Sequence, residues 1–274
     1  MNLPQLDFRD LAVDVFECAL HEDIGCGDIT TNALPLEDVE GCATLIAREE
    51  GVLAGVALLP HIREISVLGR SLKVDCHKSD GEKVKPGDVI AKLTGPARTL
   101  LVLERSLLNI LSHLSGIATM TARFVERVRE SNTKICDTRK TLPGLRVLEK
   151  YAVACGGGTP HRMGLFDEAM IKENYLSLSG ISIAEAVEKI RSSIGNKRLT
   201  CEVENLDQLR EVLQTQVDCI LLDEFSTDDI QEAVEEREKH LVRRVSRRHH
   251  LGVLLGHVGL GHVPDVHATR AARV

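Results

Sequence analysis

Four short apolar runs in the second half of the chain each end in charge. Lys134-Ile135-Cys136 closes on Asp137, and Thr138-Arg139-Lys140 follow at once. Ala169-Met170-Ile171 runs into Lys172-Glu173-Asn174, Thr200-Cys201 into Glu202-Val203-Glu204, and Cys219-Ile220-Leu221-Leu222 into Asp223. Side chains alternate faces along a strand, so Lys172 is expected to share a face with Asn174, and Glu202 with Glu204. In a parallel β/α barrel the carboxyl ends of the strands converge on one face, where active sites are built. A single charge at a strand end is most often a structural ion pair or a helix cap; four together read as a site. Arg139, Lys140, Arg162 and Lys172, with His161 beside Arg162, point to an anionic substrate, because a guanidinium fork fits a carboxylate or phosphate bidentately. Gly156-Gly157-Gly158 would permit close backbone approach to a ligand, and equally reads as a flexible loop. It is no Walker loop, since no Gly-Lys-Ser/Thr follows. Glu202 and Asp223 could hold a magnesium ion that substrate phosphates complete, or face a developing positive charge. Cations for carboxylates plus acids for magnesium or an oxocarbenium ion suggest glycosyl transfer from a diphosphorylated sugar.

These residues need elements to hold them. After Glu130 short apolar runs alternate with helical stretches at Ile183–Ser192 and Leu206–Thr215, which argues for a parallel sheet or a β/α barrel. Before that, Leu11–Leu20 reads as a helix, and Ala43–Ala47, Val52–Ala57, Leu72–Cys76 and Val89–Leu93 read as short strands of a small α+β region. Leu100–Val128 reads as a long helix, broken near Ser115-Gly116.

With 274 residues, 43% of them hydrophobic and only 3% aromatic, the core must be built from Leu, Ile, Val and Ala, which suits buried parallel strands. A net charge of -7 argues against nucleic acid as a partner. The first residues show no secretory signal, and no apolar stretch reaches the ~18 residues of a membrane span, so no membrane partner is expected. The eight cysteines form no Cys-x-x-Cys pair and read as reduced thiols of a cytoplasmic protein.

Cys136-Asp137-Thr138-Arg139-Lys140-Thr141-Leu142-Pro143-Gly144-Leu145-Arg146 resembles the central signature of the quinolinate phosphoribosyltransferase family. So do Lys150-Tyr151-Ala152-Val153, the glycine run with His161-Arg162, and Ile171-Lys172-Glu173-Asn174. Glu22–Gly25 with Asp28–Thr31, Glu104–Asn109, Leu114–Thr119, Glu202–Leu206 and Leu221–Phe225 also match, so the resemblance runs from about residue 10 to 235. It implies an α/β protein: an N-terminal α+β sandwich-like domain with its linking helix (1–115), and an incomplete C-terminal β/α barrel (116–239). It implies conversion of quinolinate and phosphoribosyl diphosphate to nicotinate mononucleotide, diphosphate and carbon dioxide in de novo NAD biosynthesis, with Mg2+, by a homodimer or higher homo-oligomer. By the match, Arg105, Arg139, His161, Arg162 and Lys172 bind quinolinate, with Arg105 reaching a neighbour's site. Lys140, Glu202 and Asp223 are the catalytic positions near the sugar diphosphate, and Glu202 and Asp223 the metal positions.

The resemblance stops after Glu238. Residues 240–274 hold six of the eleven histidines and form an atypical basic tail of charge +5, against -12 for the rest. The family's two 5′-phosphate loops find no counterpart there, although Leu251–Val258 could form a strand and Gly256, Gly259 and Gly261 could mimic such a loop. A change of reading frame past codon 239 would produce this shift. Its consequence would be the alternative reading: a catalytically impaired scaffold that still dimerises and binds quinolinate.

Overall fold

The computed structural model describes residues 6–65, 68, 72–131, 133–243 and 252–255. They fall into two compact units, one running to His161 and one starting at Arg162.

The first unit opens on helix α1 (Phe8–Ile24), where the Asp7 carboxylate accepts from the N–H groups of Arg9 and Asp10. Ala12, Phe16 and Leu20, four residues apart, form its buried stripe. After the short α2 (Ile29–Asn32) come strands β1 (Glu40–Ile46) and β2 (Gly51–Val52), a 3-10 helix (Val56–Glu64), β3 (Lys73–Cys76), β4 (Lys83–Val84) and β5 (Val89–Pro96). Strand β5 is the centre of an antiparallel sheet of order β1-β5-β3, and β2 pairs with β4. Of the strand expected over Val52–Ala57 only Val52 belongs to one, in β2. Gly55, at φ 101°, turns the chain into the 3-10 helix, and the Asp80 carboxylate takes the free N–H groups of Val56 and Ala57.

Helix α3 (Ala97–Arg127) runs unbroken through Ser115-Gly116, against expectation. The hydroxyl of Ser115 accepts from Ala54 N and donates to Ala54 O, and Leu111, Leu114 and Ala118 are buried on either side. Burying each such leucine gains about 1.5–3 kcal/mol, more than the ~1 kcal/mol that one helical glycine costs. Helix α3 is also long and apolar enough to cross a bilayer by length and composition, which the sequence reading did not anticipate. Here it is the core helix, packed on α1, β1, β2 and β5 and on α4 (Arg146–Cys155).

The expected strand over Lys134–Asp137 is reduced to one parallel bridge, Cys136 to Thr159. Thr159 N donates to Ile135 O, but Pro160 has no N–H, and the next donor, His161 N, goes to the side chain of Asp137 instead of to a backbone carbonyl. The side chain ends the ladder.

The second unit alternates: β6 (Glu168–Ile171), α5 (Glu173–Ser179), α6 (Ile183–Ile194), β7 (Arg198–Val203), α7 (Leu206–Leu213), β8 (Cys219–Leu222), α8 (Thr227–Arg243) and β9 (Gly252–Leu255). Its four strands are parallel and in sequential order, β6-β7-β8-β9, the arc of an incomplete β/α barrel. Leu199, Cys201, Val203 and Ile220 are fully buried, and helices α6, α7 and α8 contribute Val187, Val212 and Ala233 to the same core. The atypical tail thus enters this unit: α8 continues to Arg243, and the strand expected within Leu251–Val258 is β9. Gly256, Gly259 and Gly261 lie outside the described residues.

Candidate functional site

In the second unit the charged residues stand at the carboxyl edge of the sheet. Lys172 follows β6 directly, in extended conformation, and its Nζ lies 2.5 Å from Oε2 of Glu202 in β7. The Glu202 side chain is 9% exposed and that of Lys172 40%, so the carboxylate is the sheltered partner. Asn174 does not share a strand face with Lys172: α5 begins at Glu173, and the alternation ends with β6. Glu202 and Glu204, in contrast, line one cavity of about 210 Å3 with Glu173, Leu176, Ser177 and Gln208. Asp223 follows β8, and its N–H donates to Val203 O at 3.0 Å, which extends the β7–β8 ladder by one step. Glu224, next in the chain, has φ 56°, the one positive value outside glycine among the described residues. Such strain is typical of functional turns.

Among the described residues no three His, Cys, Asp or Glu side chains form a group that could hold a metal ion. Two carboxylates at neighbouring strand ends are nonetheless the donor set magnesium takes when substrate phosphates and water supply the rest. By residue type Glu202 and Asp223 are such donors, with Glu202 engaged by Lys172. Cys201, beside Glu202, is buried, and burial, then the charge of Glu202, pushes its thiol up to about 12.

Arg162 is buried, with Nη1 donating to the Glu168 carbonyl at 3.2 Å, at the start of β6. Glu168 itself is 1% exposed; its Oε1 accepts from Thr200 Oγ1 at 2.5 Å, and Oε2 lies 4.0 Å from Arg198 Nε. Sequence reasoning missed Glu168 because it looked for charge at the carboxyl ends of strands.

In the first unit Arg105 is exposed on α3, between buried Leu103 and Ser106. Arg139 is half-buried and Lys140 exposed, in a loop without secondary structure. Asp137 opens that loop and accepts from the ammonium of Lys150 and from His161 N. Lys150 is 0% exposed and also donates to the His161 carbonyl at 3.3 Å. At the other end Leu142 N donates to Glu149 Oε2 at 3.3 Å, and Arg146 Nε to Thr141 Oγ1 at 3.1 Å. The sequence reading assigned no part to Glu149 and Lys150. The signal was available: a lysine and a glutamate on the inner side of a helix next to Leu148 and Ala152.

The glycine run serves packing. A Cβ on Gly156 would stand 2.4 Å from the Ala118 carbonyl oxygen, and one on Gly158 2.6 Å from Val153 Cγ1, while Gly157 sits at φ 85°. Close approach of α4 to α3 is the reason for these glycines.

Comparison with known proteins gives a consistent picture. Residues 28–115 match the model of the quinolinate phosphoribosyl transferase N-terminal domain, and residues 117–251 that of its C-terminal domain. The match therefore passes Glu238, where the sequence reading ended it. A probable nicotinate-nucleotide pyrophosphorylase [carboxylating] of Bacillus subtilis is 44% identical over 211 residues, covering 76% of this chain and 71% of the relative. The nicotinate-nucleotide pyrophosphorylase [carboxylating] of Mycobacterium leprae is 40% identical over 235 residues, 84% and 81% of the two chains. Among solved structures, the nicotinate-nucleotide pyrophosphorylase from Francisella tularensis superposes with a TM-score of 0.80 at 36% identity, over 93% of this chain and 86% of that one.

Proposed function

This chain belongs to the quinolinate phosphoribosyltransferase family, and from that premise we propose that it joins quinolinate to phosphoribosyl diphosphate in de novo NAD biosynthesis. The products are nicotinate mononucleotide, diphosphate and carbon dioxide. The observation that carries this reading is a pair of family-domain matches running from residue 28 to 251, with Lys172, Glu202 and Asp223 at the carboxyl edge of a parallel sheet.

Quinolinate is a dianion, and its two ring carboxylates call for several cations in a water-poor pocket. Arg139, His161, Arg162 and Lys172 take that role. Arg105 is assigned to a neighbouring subunit's site in a homodimer; an arginine with that task must face solvent in a single chain, as Arg105 does. Lys140 serves the sugar diphosphate. The ring nitrogen attacks the anomeric carbon as the C–O bond to diphosphate breaks. Glu202 and Asp223 face the positive charge that develops on the sugar. Glu202 and Asp223 are the residues that would hold a magnesium ion, which would supply positive charge to offset that of the departing diphosphate. The alkylated ring then accepts the electron pair of the adjacent carbon–carboxylate bond. Carbon dioxide leaves, and a proton takes its place on the ring.

The impaired-scaffold reading is not favoured, because the family match covers most of the chain and continues through residue 251. Calorimetry tests the proposal: the chain should bind quinolinate, and then phosphoribosyl diphosphate with magnesium. Absence of quinolinate binding would refute it.

A further inference from the structure

We infer that helix α4 is a clamp that positions the Arg139–Lys140 loop and His161, with Lys150, Glu149 and Arg146 as its three points of contact. The substrate part of this inference rests on the function proposed above; the clamp itself does not.

Arg146, Glu149 and Lys150 are spaced i, i+3, i+4, so they project from one side of α4. Each holds a different part of the loop. Lys150 anchors Asp137 at the start, Glu149 holds Leu142 N at the end, and Arg146 holds the Thr141 hydroxyl between them. Glu149 is itself braced from α3, its Oε1 lying 2.9 Å from His113 Nε2. The loop adds its own internal bonds, Lys140 N to Thr138 Oγ1 and Thr141 N to Arg139 O.

The Asp137–Lys150 pair does more than hold itself together. Asp137 accepts from His161 N and Lys150 donates to His161 O, so both backbone groups of His161 are fixed by one ion pair. Stability alone does not call for such a pair, since packed apolar side chains of similar volume often serve a fold as well or better. An apolar pair could not hold a peptide group by both its donor and its acceptor. A loop ordered before the substrate arrives spares binding the cost of ordering it, and keeps the cations in register with the carboxylates.

The test uses the full chain and three variants: Glu149→Ala, Glu149→Gln and the double substitution Asp137→Leu/Lys150→Met. Without any ligand, amide exchange in peptides covering 138–145 and 159–161 should quicken at least about tenfold in Glu149→Ala near Leu142, and in the double variant at both places. Glu149→Gln keeps an acceptor and should stay near the parent. In steady state, KM for quinolinate should rise about tenfold or more in Glu149→Ala and the double variant, with kcat within about fivefold. A merely structural lesion reduces the folded fraction, lowering kcat and leaving KM unchanged. Unchanged exchange in folded variants overturns the clamp. Faster exchange with KM within twofold overturns its positioning role. If the double variant shows no cooperative thermal transition, the Glu149 pair decides. A parent chain without turnover would sink the functional reading and the substrate part with it, while the exchange data would still judge the clamp.

Discussion

Replacing Lys172 with methionine removes the ammonium that pairs with Glu202. Its Nζ is 2.5 Å from the carboxylate, whose side chain is nine-tenths sheltered from solvent. A hydrogen bond to a charged group is worth about 1.5–3 kcal/mol. Lys172 is 40% exposed, so water screens part of the attraction, and we expect a destabilisation of about 1–2 kcal/mol. For a chain of this size that is a fall in Tm of roughly 2–8 °C. The catalytic loss should be larger. Quinolinate loses a charge-assisted contact worth about 2–3 kcal/mol, or roughly 30- to 150-fold in kcat/KM. Glu202→Gln makes the complementary test. It frees Lys172 for the substrate, so KM for quinolinate should hold or fall, while kcat drops with the loss of the carboxylate. Steady-state rates with varied quinolinate, beside thermal melts, measure both. A Lys172→Met enzyme whose KM for quinolinate stays within twofold of the parent would refute the assignment of Lys172 to the substrate.

Gly156→Ala should push a methyl into the Ala118 carbonyl and destabilise by about 2 kcal/mol, seen as a Tm lower by roughly 4–8 °C in calorimetry; an unchanged Tm would contradict the packing account. Iodoacetamide on the folded chain should label exposed Cys18, Cys26 and Cys42 readily and leave buried Cys201 and Cys219 unmodified, as read by mass spectrometry, because burial raises both of the latter thiols. The Thr31 hydroxyl, then the Thr31 N–H, holds the Asp28 carboxyl below the usual carboxylate range. Its folded pKa lies under its unfolded one, so its contribution is present above the unfolded pKa and fades as pH falls through the folded pKa. The Tm gap between the parent and Asp28→Ala should therefore be widest near neutral pH and shrink toward pH ~3; a gap independent of pH would contradict this.

Much of the architecture was legible because strong local patterns agree with the fold. Helices α6 and α7 and the strands β7 and β8, with Glu202 and Asp223 at their carboxyl ends, announce themselves by period and by terminal charge. The errors occur where a side chain outranks the local pattern. Asp80 takes the N–H groups of Val56 and Ala57 and makes a 3-10 helix from a stretch that reads as strand. Asp137 takes His161 N and ends a ladder after one bridge. Gly116 fails to break α3 because burial outweighs propensity. At the candidate site, the residues proposed to bind substrate were visible from their charge and from the family resemblance. The parts played by Glu149, Lys150 and Glu168 were not, because a buried charge shows its purpose only once its partners are known.

The central claim is a reaction, and one assay meets it directly. The purified full chain, supplied with quinolinate, phosphoribosyl diphosphate and magnesium, should form nicotinate mononucleotide and release one carbon dioxide per turnover. A folded chain that binds quinolinate but forms no nicotinate mononucleotide would contradict the account.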